Sequence, residues 1–274
     1  MELPLGRPAR LLLGAGAACA LGWTLLAWAL GNPFAPVLAA GLGLLVVAGT
    51  AALATELNER RRLQDYAQME AYVSLVTALQ PAQPLPATRH WAASPDVLKK
   101  TAELVLQRAP RLVVEASCGT STVIIALCLR KLGQGGRVIS LEHDPVYADK
   151  TRRALRQQGL EDIATVLQAP LKPYDLGGQR YHWYDLAGLE PQTPIDLLVV
   201  DGPPGAQRKA RYPAVPLLID RLAPDAVIIV DDGARPDERE MVEAWRKAYG
   251  LQPHYLHFEK GAYVIGRGTP GELL

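Results

Sequence analysis

The stretch from Arg111 to Pro145, RLVVEASCGTSTVIIALCLRKLGQGGRVISLEHDP, decides the fold. An apolar run ends in an acid, Glu115. A turn of small residues follows (Ser117, Cys118, Gly119, Thr120, Ser121) and opens a helical segment. A second apolar run then ends in another acid, Glu142. Strand, tight turn, helix and second strand ending in a carboxylate form the nucleotide-binding half of a doubly wound sheet. Such a turn lets backbone N–H groups and a helix N-terminus approach a ligand. The second acid can hold a ribose diol, so the pattern implies an adenosine-containing cofactor.

The segment resembles the class I S-adenosylmethionine-dependent methyltransferases. Their first motif, acid-x-Gly-x-Gly, maps onto Glu115, Ala116, Ser117, Cys118 and Gly119, and their second acid maps onto Glu142. The resemblance implies S-adenosylmethionine as cofactor. Its contacts would come from Glu115, Ser117, Gly119, Thr120, Ser121, Thr122 and Glu142, with His143 along the adenine and Gln168 near the adenine amine. Ser117 departs from the family's glycine and narrows the backbone freedom of the turn, because only glycine enters positive φ cheaply. A dinucleotide site wants three glycines, whereas Ser121 and Thr122 stand in the third-glycine region. That favours the sulfonium cofactor over NAD.

The 274 residues carry a net charge of +1, which argues against a global nucleic-acid field. Three cysteines, Cys19, Cys118 and Cys128, make no disulfide framework. The average composition hides a split. No charged residue occurs between Arg10 and Glu56. Two apolar stretches, 11–30 and 35–54, each have the ~20 residues that cross a bilayer core of ~30 Å. They read as a transmembrane helical hairpin over 1–55. Arg7 and Arg10 precede it, Arg60, Arg61 and Arg62 follow it, and the connecting turn is uncharged. The positive-inside rule then places both termini in the cytoplasm, as a two-pass protein of the inner membrane.

Residues 56–80 read as a helix leaving the bilayer, with Tyr66, Met69, Val73 and Val76 as a stripe that packs on the following domain. A homodimer seam along this stripe is an alternative. Pro81, Pro84 and Pro86 close a connecting region at 56–86, leaving a catalytic domain at 87–274. Ser94-Pro95-Asp96 is a helix start, and that helix should run to about Arg108. Strands are expected at 111–115, 137–142, 163–168, 195–201 and 226–231, then a closing hairpin from 255–258 and 262–265. The fold class is therefore α/β, a doubly wound, seven-stranded Rossmann-like sheet preceded by the hairpin. Residues 170–194 form an insertion whose aromatic run Tyr181–Asp185 reads either as substrate-contacting loop or as satellite core.

Ligands bind beyond the carboxyl ends of parallel strands. Asp201 follows the fourth expected strand, and Asp231 and Asp232 follow the fifth. Three converging carboxylates demand a cation, a shared proton or strong solvation. Resemblance to the catechol-type O-methyltransferases suggests a divalent ion such as Mg²⁺ on Asp201, Asp231 and Asp232, though the chain has Asp232 where that group has Asn. Alternatively Asp201, Asp231 or His90 serves as general base on a hydroxyl. The segments TRHWAASP, LEHDP and DGPPG…RYP narrow the resemblance to bacterial methyltransferase-like proteins over about residues 84–266. Trp91, Arg208, Lys209, Arg211 and Tyr212 are candidate acceptor contacts, the cations suiting an anionic group. The expectation is a membrane-anchored O-methyltransferase acting on a small-molecule, glycan or lipid-linked acceptor. Its rivals are a non-catalytic membrane adaptor of the same shape and an NAD-dependent oxidoreductase.

Overall fold

The computed structural model describes residues 7–31, 33–88, 91–189, 193–204 and 208–267. The chain divides into two compact units after Ala67. In the N-terminal unit, α1 spans Arg7–Ala29 and a short turn leads into α2, Ala35–Leu79. The second apolar stretch and the helix expected at 56–80 are thus one helix of 45 residues. Gly16 of α1 lies against Val46 of α2, so closely that a Cβ there would collide with the valine side chain. Among the described residues, α2 is long and apolar enough to cross a membrane. Leu25, Trp28, Leu44 and Leu45 are all exposed.

The C-terminal unit, from Gln68, is built on a seven-stranded sheet. Its strands are β1 (Leu112–Ala116), β2 (Arg137–Glu142), β3 (Ala164–Gln168), β6 (Ile195–Val200), β7 (Leu222–Val230), β8 (Gln252–Leu256) and β9 (Ala262–Gly266). Their order is β3-β2-β1-β6-β7-β9-β8, parallel except that β9 runs antiparallel to both of its neighbours. Central strands covered on both faces read as near-continuous apolar runs, and LVVEA and IDLLVV do. The order reverses between β1 and β6, which puts a ligand crevice at their carboxyl ends.

One face of the sheet is covered by α3 (Pro95–Arg108), α4 (Thr120–Leu132) and α5 (Pro145–Gln158). Their buried residues include Leu98, Val105, Ile124, Ile125 and Leu155. The other face is covered by α6 (Ala214–Leu218), α7 (Pro236–Tyr249) and a separate hairpin of β4 (Leu171–Leu176) and β5 (Gln179–Tyr184). Each fully buried Leu, Ile or Phe-sized side chain contributes roughly 1.5–3 kcal/mol.

Two expectations need correction. The insertion at 170–194 is not an exposed aromatic loop: Tyr181, Trp183 and Tyr184 are buried while His182 faces out. Alternation along the hairpin sends every second side chain to the core. On α2 the stripe that packs on the domain is Gln68, Ala71, Leu75 and Leu79, whereas Tyr66, Met69 and Val73 are exposed. Asp96 explains the register. Its carboxylate accepts from the Gln68 amide (2.7 Å), Ser94 Oγ (2.6 Å) and the Glu259 N–H (2.7 Å), tying the end of α2 to α3 and to the β8–β9 turn.

Candidate active site

The β1–α4 turn is held from below. Glu115 is fully buried, and its Oε2 accepts from Thr122 Oγ1 and Ser140 Oγ, both at 2.6 Å. Thr122 Oγ1 in turn accepts the Gly119 N–H at 3.1 Å. Burial raises the Glu115 pKa, opposed by the hydroxyls of Ser121, Ser140 and Thr122. Glu115 and Thr122, expected to touch the cofactor, instead lie beneath the turn and fix its shape. Thr120 is likewise turned away, donating to the Ala87 carbonyl at 2.9 Å. Ser117 holds φ at 119° and Gly119 at 146°. Serine therefore stands in a conformation that favours glycine. Gly202 approaches from β6, where a Cβ would run into the Tyr184 hydroxyl and meet Ser117 Cβ at 3.0 Å.

A cavity of about 660 Å³ opens above this turn. Ser117, Cys118, Glu142, His143, Asp144 and Tyr147 line one end, and Asp201, Arg211, Asp232, Arg235 and Lys260 the other, with Trp91 and Pro204 also in the wall. Glu142 ends β2. Its Oε1 accepts the Asp144 N–H at 2.9 Å and lies 3.0 Å from His143 Nδ1; its Oε2 accepts the Cys118 thiol at 3.3 Å. Burial raises the Cys118 pKa beyond the usual thiol range, so this group is a neutral donor to Glu142. Gln168 is exposed, and its amide donates to the His143 carbonyl at 2.8 Å. It braces the rim and is absent from the cavity wall, contrary to its expected adenine role.

The three aspartates converge: one ligand atom from each of Asp201, Asp231 and Asp232 lies within 4.8 Å of the others. Their counter-ion is a side chain. The Arg211 guanidinium, 5 % exposed, donates to Asp232 Oδ2 (2.8 Å), Asp201 Oδ1 (3.3 Å) and the Asp231 carbonyl (3.0 Å). Arg235 adds a second contact to Asp232 Oδ2 at 3.0 Å, and Glu238 lies 3.7 Å from Arg211. The donor set suits a hard cation, but one oxygen of Asp201 (Oδ1) and one of Asp232 (Oδ2) are engaged by guanidinium. Burial, then the neighbouring Asp231, raises the Asp201 pKa well above the carboxylate range. Burial and the Asp232 charge raise that of Asp231 to about 6.

Residues 115–233 match the sequence model of a family described as methyltransferase domain. That span begins at Glu115 and ends just past the carboxylate cluster. The match covers the end of the first strand, the turn after it, the second strand and the carboxylate cluster, the parts that form most of the cavity wall. In fold it is similar to the SAH-bound Podospora anserina methyltransferase PaMTH1 (16 % identity, TM-score 0.55, covering 77 % of this chain and 96 % of that one). It is also similar to a methyltransferase from Geobacter sulfurreducens (17 %, 0.52, 76 % and 96 %). A third likeness is to a Klebsiella pneumoniae protein assigned as an O-methyltransferase (19 %, 0.51, 76 % and 97 %). No curated protein matches the sequence.

Within the C-terminal unit, the expected acceptor contacts separate. Arg208 pairs with Asp237 and Glu240 and Lys209 with Glu240, on the surface of α7. Tyr212 stacks on Tyr181 (5.2 Å) and Trp245 (6.5 Å), and its carbonyl accepts the Trp245 indole N–H at 3.0 Å. These three are packing and tethering groups rather than acceptor contacts. Arg211 is buried in the carboxylate cluster, and Trp91, 76 % exposed, stands at the cavity mouth. His90 lies outside the described residues. Sequence reasoning missed Lys260, which reaches the wall from the β8–β9 turn and donates to the Ala92 carbonyl at 3.0 Å. It also missed Tyr147 and Arg235, while Asp144, a candidate because it follows the second strand, is in the wall. Tyr147 had a signal: it closely follows Glu142, at the start of α5.

Proposed function

We propose that the protein is a membrane-anchored, S-adenosylmethionine-dependent O-methyltransferase. The observation that carries the reading is one cavity at the sheet's switch point, with Glu142 at one end and Asp201 at the other. When bound, the cofactor supplies an activated methyl on a sulfonium. Glu142, held by the Asp144 N–H and the Cys118 thiol, would accept from the ribose diol. Ser117 and Gly119 would bring backbone close to the amino-acid tail. Asp201 would take the proton of the acceptor hydroxyl, leaving that oxygen able to displace the thioether and receive the methyl. A raised pKa suits a base that works near neutrality. Alignment of the reactants in the cavity can be worth ~7–11 kcal/mol.

The exposed apolar side chains of the N-terminal helices support insertion in a bilayer as a two-pass anchor, with the catalytic domain on the arginine-rich, cytoplasmic side. An acceptor at or near the membrane, a lipid-linked glycan or a small hydroxylated lipid, follows from that placement. The test is transfer of labelled methyl from S-adenosylmethionine to membrane glycolipid extracts. Asp201→Asn should lower turnover about 10²–10⁴-fold while leaving affinity for S-adenosylhomocysteine in place. Full turnover by that variant excludes Asp201 as the base.

A further inference from the structure

The geometry points to Arg211 as a built-in cation that occupies the place of a divalent metal ion, making this a metal-independent transferase. The inference deepens the methyltransferase reading and rests on it for the reaction, though not for the ion. Asp201, Asp231 and Asp232 have the spacing of a metal-binding set. Yet Asp232 Oδ2 faces two guanidinium groups, Arg211 at 2.8 Å and Arg235 at 3.0 Å, and Asp201 Oδ1 faces Arg211. A hard divalent ion on Asp232 Oδ2 would have to displace both arginines, and on any oxygen of the set it would share a buried pocket with them. A guanidinium cannot escape by losing a proton.

Cations already oppose the acids of the cluster. Arg211 and Arg235 face Asp201, Asp232 and Glu238 in direct ion pairs. Arg211 also faces the cavity beside Asp201. It therefore meets an acceptor oxygen from which Asp201 takes the proton, the position in which a metal would act as Lewis acid. The acceptor consequence follows. Chelation by an ion selects paired vicinal oxygens, whereas a guanidinium beside one carboxylate base accepts a single hydroxyl or a carboxylic acid.

The test is Mn²⁺ titration of the full-length protein in detergent, read by the electron-spin resonance of free Mn²⁺, without cofactor. The wild-type protein should take up no Mn²⁺ at micromolar concentrations, and its affinity for S-adenosylhomocysteine should be the same within twofold in EDTA or millimolar Mg²⁺. Arg211→Met should create a one-to-one Mn²⁺ site that a second change, Asp232→Asn, removes. Arg211→Lys, which keeps a charge, should create none. One-to-one micromolar uptake by the wild-type protein that Asp201→Asn abolishes overturns the proposal, as does a folded Arg211→Met that binds no Mn²⁺. If Arg211→Met does not fold, the wild-type titration decides by itself. Failure of S-adenosylhomocysteine to bind would sink the methyltransferase reading and leave the Mn²⁺ result standing.

Discussion

Ser117 and the carboxylates show what single residues contribute. With φ at 119°, Ser117 holds its backbone where a side chain is strained; such positions cost about 1–3 kcal/mol. Ser117→Gly should therefore stabilise the protein by ~1 kcal/mol, part of the gain being offset by glycine's greater unfolded entropy, and raise Tm in thermal unfolding. Ser117→Val should lower it. The coupled aspartates set the pH behaviour. Because burial raises the Asp201 pKa, kcat/KM should climb with pH through a midpoint well above the ordinary carboxylate range, and Asp201→Asn should remove that limb. For stability the sign is opposite. Asp231 moves from its ordinary 3.8 to about 6 on folding, so the folded protein holds this proton more tightly. Its contribution is complete below pH 3.8 and is lost as pH rises through about 6. Asp231→Asn should accordingly gain on wild type by up to ~3 kcal/mol between acid and neutral pH, measured by urea unfolding across that window.

At the scale of elements, the β4–β5 hairpin and the β8–β9 return complete what the βαβ half begins. Trp183, fully buried under the hairpin, anchors it to the second core, and Trp183→Ala should cost about 3–5 kcal/mol by chemical denaturation. The strands of the main sheet were legible because each is an apolar run ending at a turn. Expected and observed boundaries agree within about two residues for β1, β2, β3 and β6. The hairpin was legible in principle: Gly177-Gly178, both at positive φ, between alternating runs is a two-residue hairpin signal. Reading 170–194 as loop missed it. The stripe on α2 was misplaced by two residues, Tyr66, Met69 and Val73 standing for Gln68, Ala71 and Leu75, because Tyr66 and Met69 outweigh Gln68 and Ala71 in hydrophobicity. The partner that selects Gln68 is Asp96, far along the chain. In the same way, nothing local distinguishes Arg211 from Arg208 and Lys209; only the folded sheet brings Asp201 and Asp232 to the first and α7 to the others. Glu142 and Asp201 were readable as site residues because strand ends are where such sheets bind.

At the scale of the molecule, α2 runs from the apolar N-terminal unit into the C-terminal unit. The proposed anchor should keep the protein in the membrane fraction through high-salt and carbonate washes and release it only with detergent. Protease added to the outer face of sealed vesicles should leave the C-terminal domain intact; its digestion there would reverse the proposed orientation. The central claim is that the cavity between Glu142 and Asp201 holds S-adenosylmethionine. Calorimetric titration of the full-length protein with S-adenosylhomocysteine tests it most directly. The account predicts one-to-one micromolar binding, weakened about 10–100-fold in Glu142→Ala through loss of ~1.5–3 kcal/mol from a charged hydrogen bond. A folded sample that does not bind, or a Glu142→Ala variant that binds as wild type does, would contradict it.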